Sequence, residues 1–133
     1  GIKIVCGGST AKMFARQLNE QLEVIEQGFG FITPPAYKIK QLDLVTEGIV
    51  TLNQVNNLIE EDIVCEKSQN PVFDIIHFLK VADRIQFFVG TAQNIETDDI
   101  VFKQQHIVPR YKIILRIDEK LKAMEKNVIV NYV

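Results

Sequence analysis

Three short segments combine glycine with hydroxyl side chains at the end of an apolar run: Gly7-Gly8-Ser9-Thr10 after residues 2–6, Thr46-Glu47-Gly48 closing residues 42–46, and Gly90-Thr91 after residues 85–89. Glycine permits positive φ and lets backbone N–H groups come close to a ligand. A helix that follows adds unpaired donors and about half a positive charge. The chemistry that suits such corners is anion binding, most often of a phosphate. The first corner is the richest, since two glycines, two hydroxyls and Ala11 could wrap an oxyanion with backbone and side-chain donors together. It matches neither Gly-x-x-x-x-Gly-Lys-Ser/Thr nor Gly-x-Gly-x-x-Gly, and the same residues equally suit a turn in which Ser9 or Thr10 caps a helix. Thr46 and Glu47 are similarly two-sided, because a helix dipole favours an acid at its start without any ligand.

Other reactive side chains are isolated. Cys6, at a strand end just before a helix, could be a nucleophile of lowered pKa, but no histidine is placed beside it, and a small buried strand residue fits the position as well. His77 lies in an apolar helical stretch and is expected in or near the core; His106, in a polar loop, is expected to face water. Cys6 and Cys65 share no Cys-x-x-Cys or Cys/His spacing that could hold zinc and are too few for a disulfide framework.

The elements that would position these residues alternate. Residues 2–6 read as a strand, and the helix after Gly7-Gly8-Ser9-Thr10 carries apolar residues at helical spacing from Ala11 to Leu18. Residues 22–25 make a second strand, residues 27–35 a loop dense in glycine and proline, and residues 42–46 a third strand. A helix over 49–61 has Leu52, Val55, Leu58 and Ile59 on one face. Asn70-Pro71 is a helix entry, with the cap followed by a proline preset at the first position, and opens a helix over 71–81. Residues 85–89 form a fourth strand, 92–106 a long polar loop, 109–125 the last helix and 128–133 the last strand. This order predicts a three-layer α/β/α sandwich, Rossmann-like, with about five mostly parallel strands and a C-terminal edge strand that could run antiparallel. In such a sheet the three glycine corners share one edge.

Composition sets the outer bounds. With 133 residues, 47% hydrophobic and 24% charged, the chain suits one α/β domain over residues 1–133. No apolar run approaches the roughly 18–20 residues of a membrane span, and no leader pattern is visible, so a cytoplasmic protein is expected. A net charge of −2 argues against a domain built to neutralise nucleic acid. Charge is uneven, since residues 103–133 hold Lys103, Arg110, Lys112, Arg116, Lys120, Lys122 and Lys126 against Asp118, Glu119 and Glu125. That helix would present a solvated cationic face or meet an acidic partner.

Taken in order, Ile4-Val5-Cys6-Gly7-Gly8-Ser9-Thr10-Ala11, then Pro34-Pro35, then Leu42-Asp43-Leu44-Val45-Thr46-Glu47-Gly48-Ile49-Val50-Thr51-Leu52, then Phe88-Val89-Gly90-Thr91 with Asn94, the chain resembles the C-terminal region of bacterial phosphatases of the stage II sporulation protein E family. The closing helix with Val128-Ile129-Val130 fits that region's end, whereas the family more often has threonine at the position of Ser9 and differs after Asn94. The resemblance implies a parent chain that is a metal-dependent serine/threonine phosphatase, whose two manganese or magnesium ions sit on Asp-Gly motifs of a separate catalytic domain. No Asp-Gly pair occurs here, so no cofactor and no catalytic residue are expected in this chain. The expectation is an accessory domain that binds a phosphorylated small molecule or nucleotide at Gly7, Gly8, Ser9, Thr10, Thr46, Glu47, Gly48, Gly90, Thr91 and Asn94 and communicates with the phosphatase domain. The alternatives are a structural domain that pairs with a second copy, or a small enzyme using Ser9, Thr10, Glu47 or Cys6 on a phosphorylated or acyl substrate.

Overall fold

The computed structural model describes residues 1–25, 36–62, 70–91, 104 and 106–133. Along the chain these form β1 (Ile4–Cys6), α1 (Gly8–Leu18), β2 (Glu23–Ile25), β3 (Ala36–Lys38), β4 (Leu44–Thr46), α2 (Ile49–Leu58), α3 (Pro71–Val81), β5 (Arg84–Val89), α4 (Arg110–Ala123) and β6 (Asn127–Tyr132). The protein is thus of mixed α/β type.

The strands fall into two sheets. The first has the order β1-β4-β3-β2, and the second pairs β5 with β6. β1 and β4 run parallel, with Val5 opposite Val45 and Cys6 opposite Thr46. β3 is antiparallel to both β4 and β2. This corrects the expectation of a mostly parallel sheet: Ala36-Tyr37-Lys38 follows the proline pair too briefly to show a periodicity, yet it forms the strand that reverses direction. The direction of the C-terminal strand, which the sequence leaves open, is set by its pairing. β6 is parallel to β5 over its whole length, from Arg84 opposite Asn127 to Val89 opposite Tyr132, with α4 as the connection that parallel neighbours need.

Alternation along β1 and β4 sends side chains to opposite faces. Val5 and Val45 pack with Ala11, Ala15 and Ile39 against α1, while Ile4, Cys6 and Leu44 pack against the larger cluster built from α2, α3, α4 and β5. Ala11 and Ala15 are the buried residues of α1, and their small side chains let that helix lie close to the sheet.

The α3 entry is as the sequence dictates: the Val72 N–H donates to Asn70 Oδ1 at 3.0 Å and Pro71 occupies the first turn. His77 departs from expectation. It is exposed, because Ile75, Ile76 and Leu79 take the core face of α3, and its ring tilts against Phe78 with centroids 5.9 Å apart. The cationic end of the chain is partly spent within the fold. Lys120 Nζ donates to the Asn56 carbonyl at 2.7 Å and pairs with Glu60 at 3.0 Å, and Lys122 pairs with Asp118 at 2.8 Å. Lys80 Nζ donates to the Glu61 carbonyl at 2.7 Å. Of these, the Lys120 bond satisfies an acceptor that the last turn of α2 itself leaves open, and the Lys80 bond holds the chain just beyond the helix.

Candidate functional site: the α1 amino terminus

The parallel pairing of β1 and β4 brings their two exits side by side. Gly7 has φ +129° and ψ 126°, a region open to glycine and costly to other residues. Its N–H donates to the Thr46 carbonyl at 2.8 Å, and its carbonyl accepts the Ala11 N–H at 2.8 Å, the first bond of α1. A Cβ on Gly48 would stand 3.1 Å from Gly7 Cα. Gly7-Gly8-Ser9-Thr10 and Thr46-Glu47-Gly48 therefore form one structural unit.

The two helix starts in that unit differ in one decisive way. At α2 the donors are already engaged: Glu47 Oε1 accepts from the Ile49 N–H at 3.2 Å, and Oε2 from the Val50 and Thr51 N–H groups at 3.1 and 3.3 Å. Glu47 is the cap that the dipole favours, so this corner offers a carboxylate where a ligand anion would sit. Thr46 is fully buried and its hydroxyl donates to the Glu47 carbonyl at 2.7 Å, which gives it a structural role.

At α1 no side chain caps the start and no acid lies in the first turn. The Gly8, Ser9 and Thr10 N–H groups have no acceptor among the described residues. Ser9 is exposed and Gly8 and Thr10 half-buried. The helix starts at Gly8, so the second glycine belongs to the first turn rather than to the turn before it. A Cβ added to Gly8 would lie 3.9 Å from Tyr37 Oη. Tyr37 is thus a neighbour of this corner that sequence reasoning missed, because its strand had not been expected.

Cys6 is ill suited to nucleophilic work. Burial pushes its thiol up to about 11, the Glu47 charge adds to the rise, and a hydrogen bond with the Thr46 side chain only partly opposes it. A thiol in that range is protonated at neutral pH, and the thiolate is the nucleophile.

The third corner does not join the first two by strand pairing, since β5 belongs to the second sheet. The premise of one shared sheet edge holds for Gly7 and Gly48 and not for Gly90. Thr91 donates its N–H and its hydroxyl to the Val133 carbonyl at 2.9 and 3.0 Å, prolonging the β5–β6 ladder. Gly90 lies against Arg110, whose Nη1 is 3.7 Å from the position of an added Cβ. Asn94, like Cys65 and the proline pair, lies outside the described residues. His106 is exposed as expected and has φ +56°.

Asn53, another residue that sequence reasoning passed over, pins the approach to α4. Its Oδ1 accepts the Val108 N–H at 3.0 Å and its Nδ2 donates to the Val108 carbonyl at 3.1 Å. The only sign in the sequence would be an amide on a helix flank, which is too common to single out.

Among the described residues no group of three or more His, Cys, Asp and Glu side chains is placed to hold a metal ion, and no helix is long and apolar enough to cross a membrane. No protein-family model, curated protein or solved structure matches the chain.

Proposed function

We propose that the chain is a regulatory binding domain that takes a phosphorylated small molecule or a nucleotide at the α1 amino terminus. The observation that carries this reading is the contrast between the two adjoining helix starts: Glu47 occupies the donors of α2, while the Gly8, Ser9 and Thr10 N–H groups of α1 have no acceptor among the described residues. A phosphate oxygen accepts from several such groups at once and is favoured by the dipole. The Ser9 and Thr10 hydroxyls stand beside these donors in sequence and extend them.

The architecture that goes with this reading is a three-layer α/β/α sandwich in which both sheets face one common core and the ligand binds beyond the carboxyl ends of β1 and β4. In its support, Ile4, Cys6 and Leu44 pack into the same cluster as Ile85 and Val89. In the chain's wider setting, the resemblance to stage II sporulation protein E phosphatases makes it an accessory domain of a cytoplasmic bacterial phosphatase. The manganese or magnesium would belong to the catalytic domain, and ligand occupancy here would bias that domain.

A second reading, pairing of two copies, draws on Phe88, which is 67% exposed on the outer side of β5. Light scattering of the purified protein tests it: a mass of one chain at all concentrations excludes it. The enzymatic reading has no support from Cys6 or Glu47, since the thiol is held protonated by burial and the carboxylate is engaged by the α2 amides. The ligand reading is tested by a thermal-shift screen of nucleotides and phosphometabolites. Saturable stabilisation by a phosphate-bearing compound supports it, and no stabilisation by any of them counts against it.

A further inference from the structure

The outward face of α1 carries cations and neutral polar groups without an acid. Helix α1 contains no acidic residue, while the chain as a whole has 17 acids against 15 lysines and arginines. Ser9, Lys12, Met13, Arg16 and Gln17 follow one another at helical spacing and line an open groove of about 400 Å³. Lys12 and Arg16 are exposed and form no ion pair among the described residues. Met13, between them, is 55% exposed, and Phe14 on the flank is 38% exposed. A solvated helix face ordinarily mixes both signs of charge; this one has only cations, amides and hydroxyls around an apolar centre.

We infer that this face docks an acidic segment of another protein, with carboxylates on Lys12 and Arg16 and an apolar side chain on Met13. The groove is wide open, whereas small molecules favour enclosed, mostly apolar pockets; a partner that lays its own surface along the helix suits it better. Methionine adapts to such partners because it is unbranched and polarizable. Charge complementarity fixes the sign of the partner. This docking surface does not depend on ligand binding at the α1 amino terminus, since it uses side chains along the helix and not the amides at its start.

The test uses fluorescein-labelled ten-residue peptides in which aspartate and glutamate surround a central leucine or phenylalanine. Controls are the same peptides with lysine for each acid, a polyglutamate of equal length, and inorganic tripolyphosphate as competitor. Anisotropy is measured with the wild-type protein, Lys12→Glu/Arg16→Glu and Met13→Ser, each shown by circular dichroism to be folded. The inference expects saturable binding of the acidic peptides, weakened by added salt, about tenfold weaker in the double variant and measurably weaker in Met13→Ser. Lysine peptides should not bind, and polyglutamate should bind less well than the anchored peptides. The inference is overturned by an absence of saturable binding or by affinity unchanged in the double variant. It is equally overturned if Met13→Ser has no effect, or if tripolyphosphate binds the stripe more tightly than the peptides. Loss of phosphate-ligand binding at the helix start would leave these results untouched, so the two proposals fail separately.

Discussion

Gly48 and Gly7 meet so closely that a Cβ on Gly48 would stand 3.1 Å from Gly7 Cα, while the Gly7 N–H is bonded to the Thr46 carbonyl at 2.8 Å. The exits of β1 and β4 are thereby locked to one another, and α1 and α2 start from a common rigid base. Alanine at Gly7 meets a φ of +129° that L-residues rarely adopt, and alanine at Gly48 pushes against backbone. Each should cost about 1–3 kcal/mol. Gly8→Ala, with 3.9 Å to its nearest neighbour and a helical conformation, should leave stability nearly unchanged. Chemical denaturation of the three variants checks the order; equal loss at Gly8 would show that the corner is packed differently.

Glu47 is expected to act as a cap. Glu47→Ala removes the acceptor of three N–H groups and should lower stability by about 0.5–2 kcal/mol. In Glu47→Gln the charge beside the α1 start is removed, so a phosphate-bearing ligand should bind more tightly than to the wild type, with the effect shrinking as salt rises. Isothermal titration at two ionic strengths reads this directly. Weaker binding in Glu47→Gln would mean that the carboxylate holds the ligand instead of repelling it.

Ser9→Asp separates stability from binding. A carboxylate at the open start of α1 should accept the orphan N–H groups and gain about 0.3–1 kcal/mol from the dipole. The same charge should abolish anion binding. A variant that is less stable, or that binds a phosphate-bearing ligand as the wild type does, would remove the α1 amides from the site.

The Cys6 thiol gives a pH signature. Its folded value, up to about 11 against an ordinary 9.0, means that the native state holds the proton more tightly than the unfolded chain. This contribution to stability is complete below pH 9 and is lost as pH rises toward 11. Iodoacetamide should modify Cys6 slowly at pH 8, with a rate that climbs steeply above pH 10, as followed by peptide mass spectrometry. In Cys6→Ala the alkaline fall in stability should be smaller.

The sequence was informative where local chemistry decides the outcome. Asn70-Pro71 announced α3 to the residue, and the apolar spacing of Leu52, Val55 and Ile59 announced the buried side of α2, whose helix ends at Leu58. Strand β3 was hidden because three residues after a proline pair carry no usable period, and its direction is set by pairing with β4 rather than by its own composition. His77 was misplaced because a helix with five buried residues still needs an outward face, and the histidine occupies it. In the candidate site, both roles of Glu47 could be read from its position before a helix, but only geometry chose the cap. Nothing in the sequence could reveal that Gly90 belongs to a different sheet from Gly7, or that Tyr37 stands beside Gly8.

The most direct test of the anion site is a ¹H–¹⁵N titration of the protein with inorganic phosphate and then with a nucleotide. The account predicts saturable downfield movement of the Gly8, Ser9 and Thr10 amides, with the Ile49, Val50 and Thr51 amides held in place by Glu47. Movement of the α2 amides with those of α1 unmoved, or no saturable change at any amide of the two helix starts, would contradict it.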